Sequence, residues 1–151
     1  VYVFGGGHVG QALVPVLAGV GFRVTLFDNR PELADQAHFP AADRVVLGDY
    51  RSIAEKVTLK PQDYAVIMTP GHQSDFELLE QVLRYPLRYV GCIGSHHKIA
   101  RTQQLLREAG ITEEAIQSVH SPIGLPILAQ TPAEIAISIA AEMIRCRAEA
   151  L

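Results

Sequence analysis

The sequence predicts an α/β fold in which a doubly wound parallel sheet lies between two layers of helices. Short apolar runs of strand length alternate with helix-length amphipathic segments along the whole chain. The 151 residues, 48% of them hydrophobic, are enough for one domain with a buried core, which we place at residues 1–151. Right-handed crossovers in such a chain predict the strand order 3-2-1-4-5-6.

The strands are predicted from runs that are apolar throughout, as expected where both faces of a strand are buried. Val1–Phe4 is the first of these runs, and it leads directly into a glycine cluster. The further strands are predicted at 23–27, 44–47, 64–68 and 87–93, with a weaker sixth strand at about 118–120.

The helices are predicted from apolar spacing and from their end signals. The first has an apolar stripe from Val9 to Val20, and Pro15 is expected to loosen its second turn. Ser74 to Glu77 resembles a capping box that opens a second helix, which ends before Pro86.

Two further helices are marked at their first residues. Ser95 is predicted to cap a helix that runs to Ala109, with Gly110 as a left-handed stop. Thr131 to Glu134 forms a second capping box at the start of the last helix, with proline at its first helical position.

Composition and charge narrow the function classes. A net charge of −3 and a pI near 6.1 argue against a broad nucleic-acid surface. No apolar run reaches the roughly 18 residues of a membrane span. Cys92 and Cys146 lack metal-ligand spacing, so we predict no metal site and a reducing, cytoplasmic location.

Val1 lies only four residues before the glycine cluster, and we expect that an upstream domain has been removed.

The glycine cluster carries the first functional signal. Gly5, Gly7 and Gly10 match G-x-G-x-x-G between a strand and a helix, which predicts a Rossmann-like nucleotide-binding loop. Gly5 would allow the tight turn, Gly7 the approach of a pyrophosphate, and Gly10 close helix packing. Asp28 ends the second strand 18 residues later, where a carboxylate accepts ribose hydroxyls. The alternative is a glycine turn that serves packing alone.

Two basic side chains lie close to this loop. Arg30 follows Asp28 by two residues and is a candidate contact for a 2′-phosphate, a pterin or a base edge, or else a solvated arginine. His8 falls in the first turn of the helix, where a cation is favourable only beside a bound anion; the alternative is a neutral histidine that packs.

The fourth predicted strand leads to Thr69 and His72 at the same edge of the sheet. Asp75 is three residues beyond His72, so the two form either a catalytic pair or part of a helix cap. We keep His72 as a candidate catalytic residue.

The fifth strand ends in the most distinctive segment. His96, His97, Lys98 and Arg101 crowd a helix start, which is electrostatically unfavourable unless an anion binds there. Backbone and hydroxyl donors at 94–95, from Gly94 and Ser95, favour a second anion site over a solvated basic turn. Histidines would make that site sensitive to pH.

Cys92 lies in this apolar strand. Most such cysteines are inert core residues. A thiol that reached the cleft would have its pKa lowered by the nearby basic groups, so Cys92 is the second candidate catalytic residue.

Seven sequence blocks in order carry a resemblance that spans nearly the whole chain. They are FGGGHVG (4–10), FRVTLFDNRPE (22–32), FPAADRVVLGD (39–49), VIMTPGHQSD (66–75), YVGCIGSHHKIAR (89–101), HSPIGLPI (120–127) and TPAEIAISIAAEMI (131–144). Together they resemble the C-terminal Rossmann domain of the XdhC/CoxI family, the xanthine dehydrogenase accessory factors. The fifth and sixth blocks are the most specific. Asn29 stands where the family usually has Asp, and His96-His97 where it often has Arg-Arg.

The resemblance implies a role in molybdenum-cofactor maturation. Family members bind this pterin dithiolene, which has a phosphate or a cytidine dinucleotide tail, assist its sulfuration and pass it to a molybdenum hydroxylase apoenzyme. The implied partners are that apoenzyme and a sulfur donor such as a cysteine desulfurase, with a homodimer as one oligomeric option. The tail would lie on 5–10, and the pterin and metal end would point to His72, Cys92 and 95–98.

Two alternatives use NAD(P) as the cofactor. An NAD(H)-sensing regulatory domain of the potassium-transport type would share the glycine loop, Asp28 and the Gly48-Asp49 pair. A fragment of an NAD(P)-dependent oxidoreductase ranks third, because a substrate domain and an obvious proton donor are missing.

Overall fold

The computed structural model describes residues 1–151 and contains one sheet of five parallel strands in the order β3-β2-β1-β4-β5. The predicted α/β class and doubly wound topology are confirmed. The strands are β1 (Tyr2–Phe4), β2 (Thr25–Asp28), β3 (Arg44–Leu47), β4 (Tyr64–Ile67) and β5 (Tyr89–Cys92). The helices are α1 (His8–Gly19), α2 (His72–Val82), α3 (His96–Glu108), α4 (Glu113–Gln117) and α5 (Pro132–Glu149).

The centre of the sheet is where its winding reverses. β1 pairs with β2 on one side and with β4 on the other, so that Val3 lies beside both Leu26 and Val66. The chain runs from β1 outward to β3, then returns to β4 and continues to β5. The carboxyl ends of β1 and β4 therefore border the crevice in which ligands of such sheets bind.

Alternate residues of the strands feed two separate hydrophobic cores. Val3, Leu26 and Val66 belong to the core beneath α1 and α5. Phe4 and Ile67 point the other way, into the core beneath α2, α3 and α4. This alternation explains why the central strands read as continuous apolar runs.

Most of the predicted helix ends are confirmed. The Ser95 side chain accepts a hydrogen bond from the Lys98 N–H, and Thr131 forms a complete capping box with Glu134. Gly110 follows α3 with a φ of +88°. α1 continues through Pro15 as one helix. None of the helices combines the length and apolarity needed to cross a membrane.

The predicted capping box at Ser74 is wrong. α2 begins two residues earlier, at His72, with Gly71 in the N-cap position and no side-chain cap. The start of the helix is instead braced by Asp75, whose Oδ1 accepts hydrogen bonds from the N–H and the hydroxyl of Thr69. Ser74 therefore lies inside the first turn.

The sixth strand of the predicted order is also wrong, because it is reduced to one bridge between His120 and Gly91. Helix α4, which was not predicted from the sequence, ends with Ser118 in its C-cap position. Pro122 follows the bridge and has no N–H to extend a ladder. Only three residues lie between these two, and the bridge at His120 is the one pairing they make.

Candidate ligand-binding site

The loop after β1 is held in one shape by close backbone contacts. Gly5 has a φ of +121°, and a Cβ there would collide with the carbonyl of Met68. A Cβ on Gly10 would collide with the Gly5 carbonyl, so the first turn of α1 packs directly on the loop. Two of the three motif glycines are thus required by the fold itself.

Gly7 is the exception. Its φ of −74° and ψ of −162° are open to any residue, and no atom lies within 4 Å of the Cβ position. It is the N-cap residue of α1 and has no side chain to bond the free N–H groups of the first turn. Packing therefore does not explain the glycine, which leaves the helix N-terminus open to an approaching group.

Asp28 is completely buried behind the loop. Its Oδ2 accepts hydrogen bonds from the Gly6 N–H, at 2.7 Å, and from Arg30 Nη2, at 2.9 Å. Its Oδ1 accepts from the Arg30 backbone N–H and from Arg30 Nε. Burial acts to raise the pKa of Asp28, but the hydrogen bonds from Arg30 and Gly6 outweigh it and lower that pKa below its usual value.

Five of the predicted binding residues line one depression, which we call the glycine-loop cleft. It opens above the first turn of α1, between the end of β4 and the residues after β2. Its lining residues are Gly7, His8, Val9, Gly10, Gln11, Arg30, Leu33, Met68, Thr69, Pro70 and Ile93.

Asp75 is the second buried carboxylate of the site. It is 6% exposed and accepts from Thr69 Oγ1 at 2.6 Å. Burial raises the pKa of Asp75 to about 6. The sequence left two alternatives for Asp75, a pair with His72 or a helix cap. Its carboxylate accepts its hydrogen bonds from Thr69, at the start of the helix, and not from His72.

Cys92 lines an inner pocket between β5, α2 and α3. His72, Asp75, Gly94, Lys98 and Ser121 are among the other residues that line it. Burial raises the pKa of the Cys92 thiol, and the negative charge of Asp75 raises it further. The pKa of Cys92 is thus raised, and not lowered as expected for a thiol that reached the cleft beside basic groups.

A second surface depression, the α2–α3 cleft, is bordered by four basic side chains. They are His72, His97, Lys98 and Arg101, together with Gln73, Thr102 and Leu105. Neither Lys98 nor Arg101 takes part in any of the ion pairs of the chain. Of the side chains expected at the second anion site, this cleft contains His97 and Lys98 but not His96.

The remaining predicted residues lie outside the three depressions. Gly5 and Asp28 are buried and support the glycine loop from behind. Ser95 and His96 are exposed at the start of α3, and Ser95 serves as its cap.

Sequence reasoning missed Glu142, which is 6% exposed on α5. Its Oε1 accepts hydrogen bonds from Tyr89 Oη, at 2.7 Å, and from the Gly124 N–H, at 3.1 Å, and lies 3.5 Å from His120 Nδ1. The Tyr89 and His120 rings stack with their centroids 4.6 Å apart. A glutamate between Ile139 and Met143 on the apolar stripe was the signal that could have revealed it.

Comparison with known proteins agrees with this architecture. The profile of the XdhC Rossmann domain matches residues 1–143. The chain belongs to the XdhC family. The match covers both the glycine loop and the segments after β5.

Relatives of this XdhC domain are longer proteins. A probable xanthine dehydrogenase subunit from Bacillus subtilis (strain 168) is 32% identical over 145 residues, which are 96% of this chain and 42% of the relative. The uncharacterized protein YqeB of Escherichia coli (strain K12) is 30% identical over 146 residues, or 27% of its length. The crystal structure of a xanthine dehydrogenase from Bacillus halodurans superimposes with a TM-score of 0.87 at 34% identity, covering 98% of this chain and 42% of that one.

Proposed function

We propose that this XdhC domain binds molybdenum cofactor as cargo and serves in the maturation of a molybdenum hydroxylase of the xanthine dehydrogenase type. The two Bacillus relatives, both named for xanthine dehydrogenase, support the choice of partner enzyme. The cargo would supply the redox-active metal centre of that enzyme, whereas this chain would bind, orient and protect it.

The observation that carries the proposal is the open position at Gly7. The fold does not require glycine there, and a Cβ would point into space that no protein atom fills. The N–H groups of the first turn of α1 have no side-chain cap, and the first turn contains no acidic residue. This arrangement suits a phosphate or pyrophosphate tail, because the free N–H groups and the helix dipole both favour an anion.

The α2–α3 cleft supports a ligand with a second polar end. Its basic side chains form none of the ion pairs of the chain, and α3 has no acidic residue in its first turn. An anionic group in this cleft would remove the repulsion between the cations and the helix start. The pterin and metal end of the cargo would face this side, near His72 and Cys92, for sulfuration by a sulfur donor of the reducing cytoplasm.

The test compares two glycine-to-valine variants on the same helix. Gly7→Val fills the open position, whereas Gly19→Val changes an exposed glycine at the other end of α1 that also has no neighbour within 4 Å. Each protein is mixed anaerobically with cofactor released from a purified molybdenum hydroxylase. The cofactor retained after gel filtration is then measured as its fluorescent oxidised pterin.

We expect Gly7→Val to lower retention at least tenfold, while Gly19→Val retains as much cofactor as the parent. Circular dichroism checks that both variants keep the fold. Equal retention by Gly7→Val and the parent would refute the proposal, as would an absence of retention by the parent.

A further inference from the structure

We infer that Arg30, locked in place by Asp28, makes the glycine-loop cleft specific for a ligand that carries a phosphate group beyond the end of β2, and that this cleft does not bind a ribose diol through Asp28. The inference deepens the proposed function and depends on it, since it requires that the glycine loop binds a ligand.

The first reason is that Asp28 has no hydrogen-bonding capacity left. A carboxylate offers about four acceptor sites on its two oxygens. Asp28 uses two on each oxygen, for the Gly6 N–H and for three N–H groups of Arg30, at 2.7 to 2.9 Å. A ribose hydroxyl would have to displace one of these charge-assisted bonds.

The second reason is that Asp28 cannot be reached. Its side chain has no exposed surface. Phe39 is 2% exposed and packs over Gly6, where a Cβ would lie 3.0 Å from the Phe39 ring and 3.4 Å from Asp28 Oδ2. The glycine loop and this ring thus separate the carboxylate from the cleft in which a ribose would lie.

The third reason is that Arg30 has N–H donors left for a ligand. A guanidinium has five N–H donors in a planar fork. Asp28 accepts hydrogen bonds from the N–H of Nε and from one N–H of Nη2. Both N–H groups of Nη1 and the second N–H of Nη2 therefore remain for a ligand. The side chain is 31% exposed and lines the glycine-loop cleft.

These remaining donors suit a phosphate better than a neutral group. Arginine forks match the oxygens of phosphate, and a fork already fixed by a carboxylate loses little freedom when it binds. The N-terminus of α1 adds positive potential on the same side of the cleft, which His8 also lines.

The chain contains an internal control for this geometry. Asp49 and Arg51, just after β3, repeat the same spacing and the same three bonds, from Arg51 N, Nε and Nη2. That pair is exposed, with 73% of the Arg51 side chain and 45% of the Asp49 side chain accessible, and neither residue lines the glycine-loop cleft.

The experiment measures dissociation constants by titration calorimetry for two matched pairs of probes. NADPH and NADH differ in one 2′-phosphate, and cytidine diphosphate and cytidine differ in a diphosphate. The first pair represents a phosphate on a ribose, and the second a diphosphate tail, so the arms distinguish the two sources. We expect the phosphate-bearing member of at least one pair to bind at least tenfold more tightly than its partner.

Arg30→Gln should abolish that preference, and Arg51→Gln should leave it unchanged. Because Arg30→Gln leaves a buried carboxylate unpaired, the double variant Asp28→Asn/Arg30→Gln removes both charges and serves as a second test. Equal affinities within both pairs, or a preference that survives the loss of Arg30, would overturn the inference. If the inference about Arg30 were overturned while cofactor retention still depended on Gly7, the proposed function would remain supported.

Discussion

Asp75 is a carboxylate that the fold keeps largely away from water. It is 6% exposed, and its hydrogen bonds come from Thr69 alone. Burial raises its pKa to about 6, whereas an aspartate in an unfolded chain ionises near pH 4. The folded state therefore binds the proton more tightly, and the stability that Asp75 contributes is present below about pH 4 and lost as the pH rises through about 6.

Asp75→Asn should remove this loss, because the amide oxygen can still accept both hydrogen bonds from Thr69 without ionising. We expect the free energy of unfolding of the variant, relative to the parent, to rise by about 2 kcal/mol between pH 4.5 and pH 7.5. Urea unfolding at the two pH values measures this difference.

Glu80→Gln provides the control, since it removes one negative charge from a partly exposed position of the same helix. The same relative change in both variants would show that net charge, and not the burial of Asp75, sets the pH dependence.

Single residues also show how far sequence reasoning reaches. The spacing between a glycine loop and an acidic residue at the end of the next strand is characteristic of this fold. The position of Asp28 beside the loop was therefore predictable from the sequence. The direction of its carboxylate was not, because it is set by Arg30 two residues on and by Phe39 from a distant turn. The same limit applies to Cys92, whose pKa depends on burial and on Asp75 rather than on the basic residues that follow it in sequence.

Among the elements, α5 has a role that its sequence only partly reveals. Glu142 links β5 to the segment after α4, because it accepts hydrogen bonds from Tyr89 Oη and from the Gly124 N–H. Ser138, one turn earlier, donates a hydrogen bond to the Leu125 carbonyl at 2.6 Å. Gly124 has a φ of +96°, and a Cβ there would collide with the Ser138 side chain. The helix and the segment after α4 are therefore assembled as one unit at the outer side of β5.

Glu142→Ala should destabilise this unit strongly. It leaves the buried hydroxyl of Tyr89 and the Gly124 N–H without an acceptor, at a cost of about 1–3 kcal/mol for each group. We expect the free energy of unfolding to fall by about 2–5 kcal/mol, measured by urea unfolding at pH 7.5.

Glu149→Ala on the same helix removes an exposed carboxylate whose nearest cation, Arg145, is 3.9 Å away. A change of less than about 0.5 kcal/mol is expected there. If Glu142→Ala were as mild as this control, the buried network would not contribute to stability.

Helix ends divide into those that local sequence determines and those that it does not. Ser95 and Thr131 cap their helices as predicted, because their own hydroxyls bond N–H groups three residues on. The signal at Ser74 was equally strong, but Thr69 engages Asp75 and α2 starts earlier. A contact made from outside the helix outweighed the local pattern.

At the scale of the whole molecule, the strand order was predictable because alternating strands and helices with right-handed crossovers allow few arrangements. The absence of a sixth strand was not, since it depends on α4 occupying the residues up to Gln117. The sequence likewise indicated basic residues at the start of α3. Only the packed structure shows which of them line one cleft with His72 and which, like His96, lie apart from it.

The single bridge at His120 covers the outer edge of β5. The His120 N–H donates to the Val90 carbonyl at 2.8 Å, and its carbonyl accepts from the Cys92 N–H at 3.1 Å. The backbone groups of β5 that a foreign strand would need are thus already occupied. This leaves β3 as the one border at which the sheet could be extended. That border is only four residues long and begins with the exposed Arg44, which are features that discourage strand addition and aggregation. Both edges of this open sheet therefore hinder the addition of a strand from another copy of the chain.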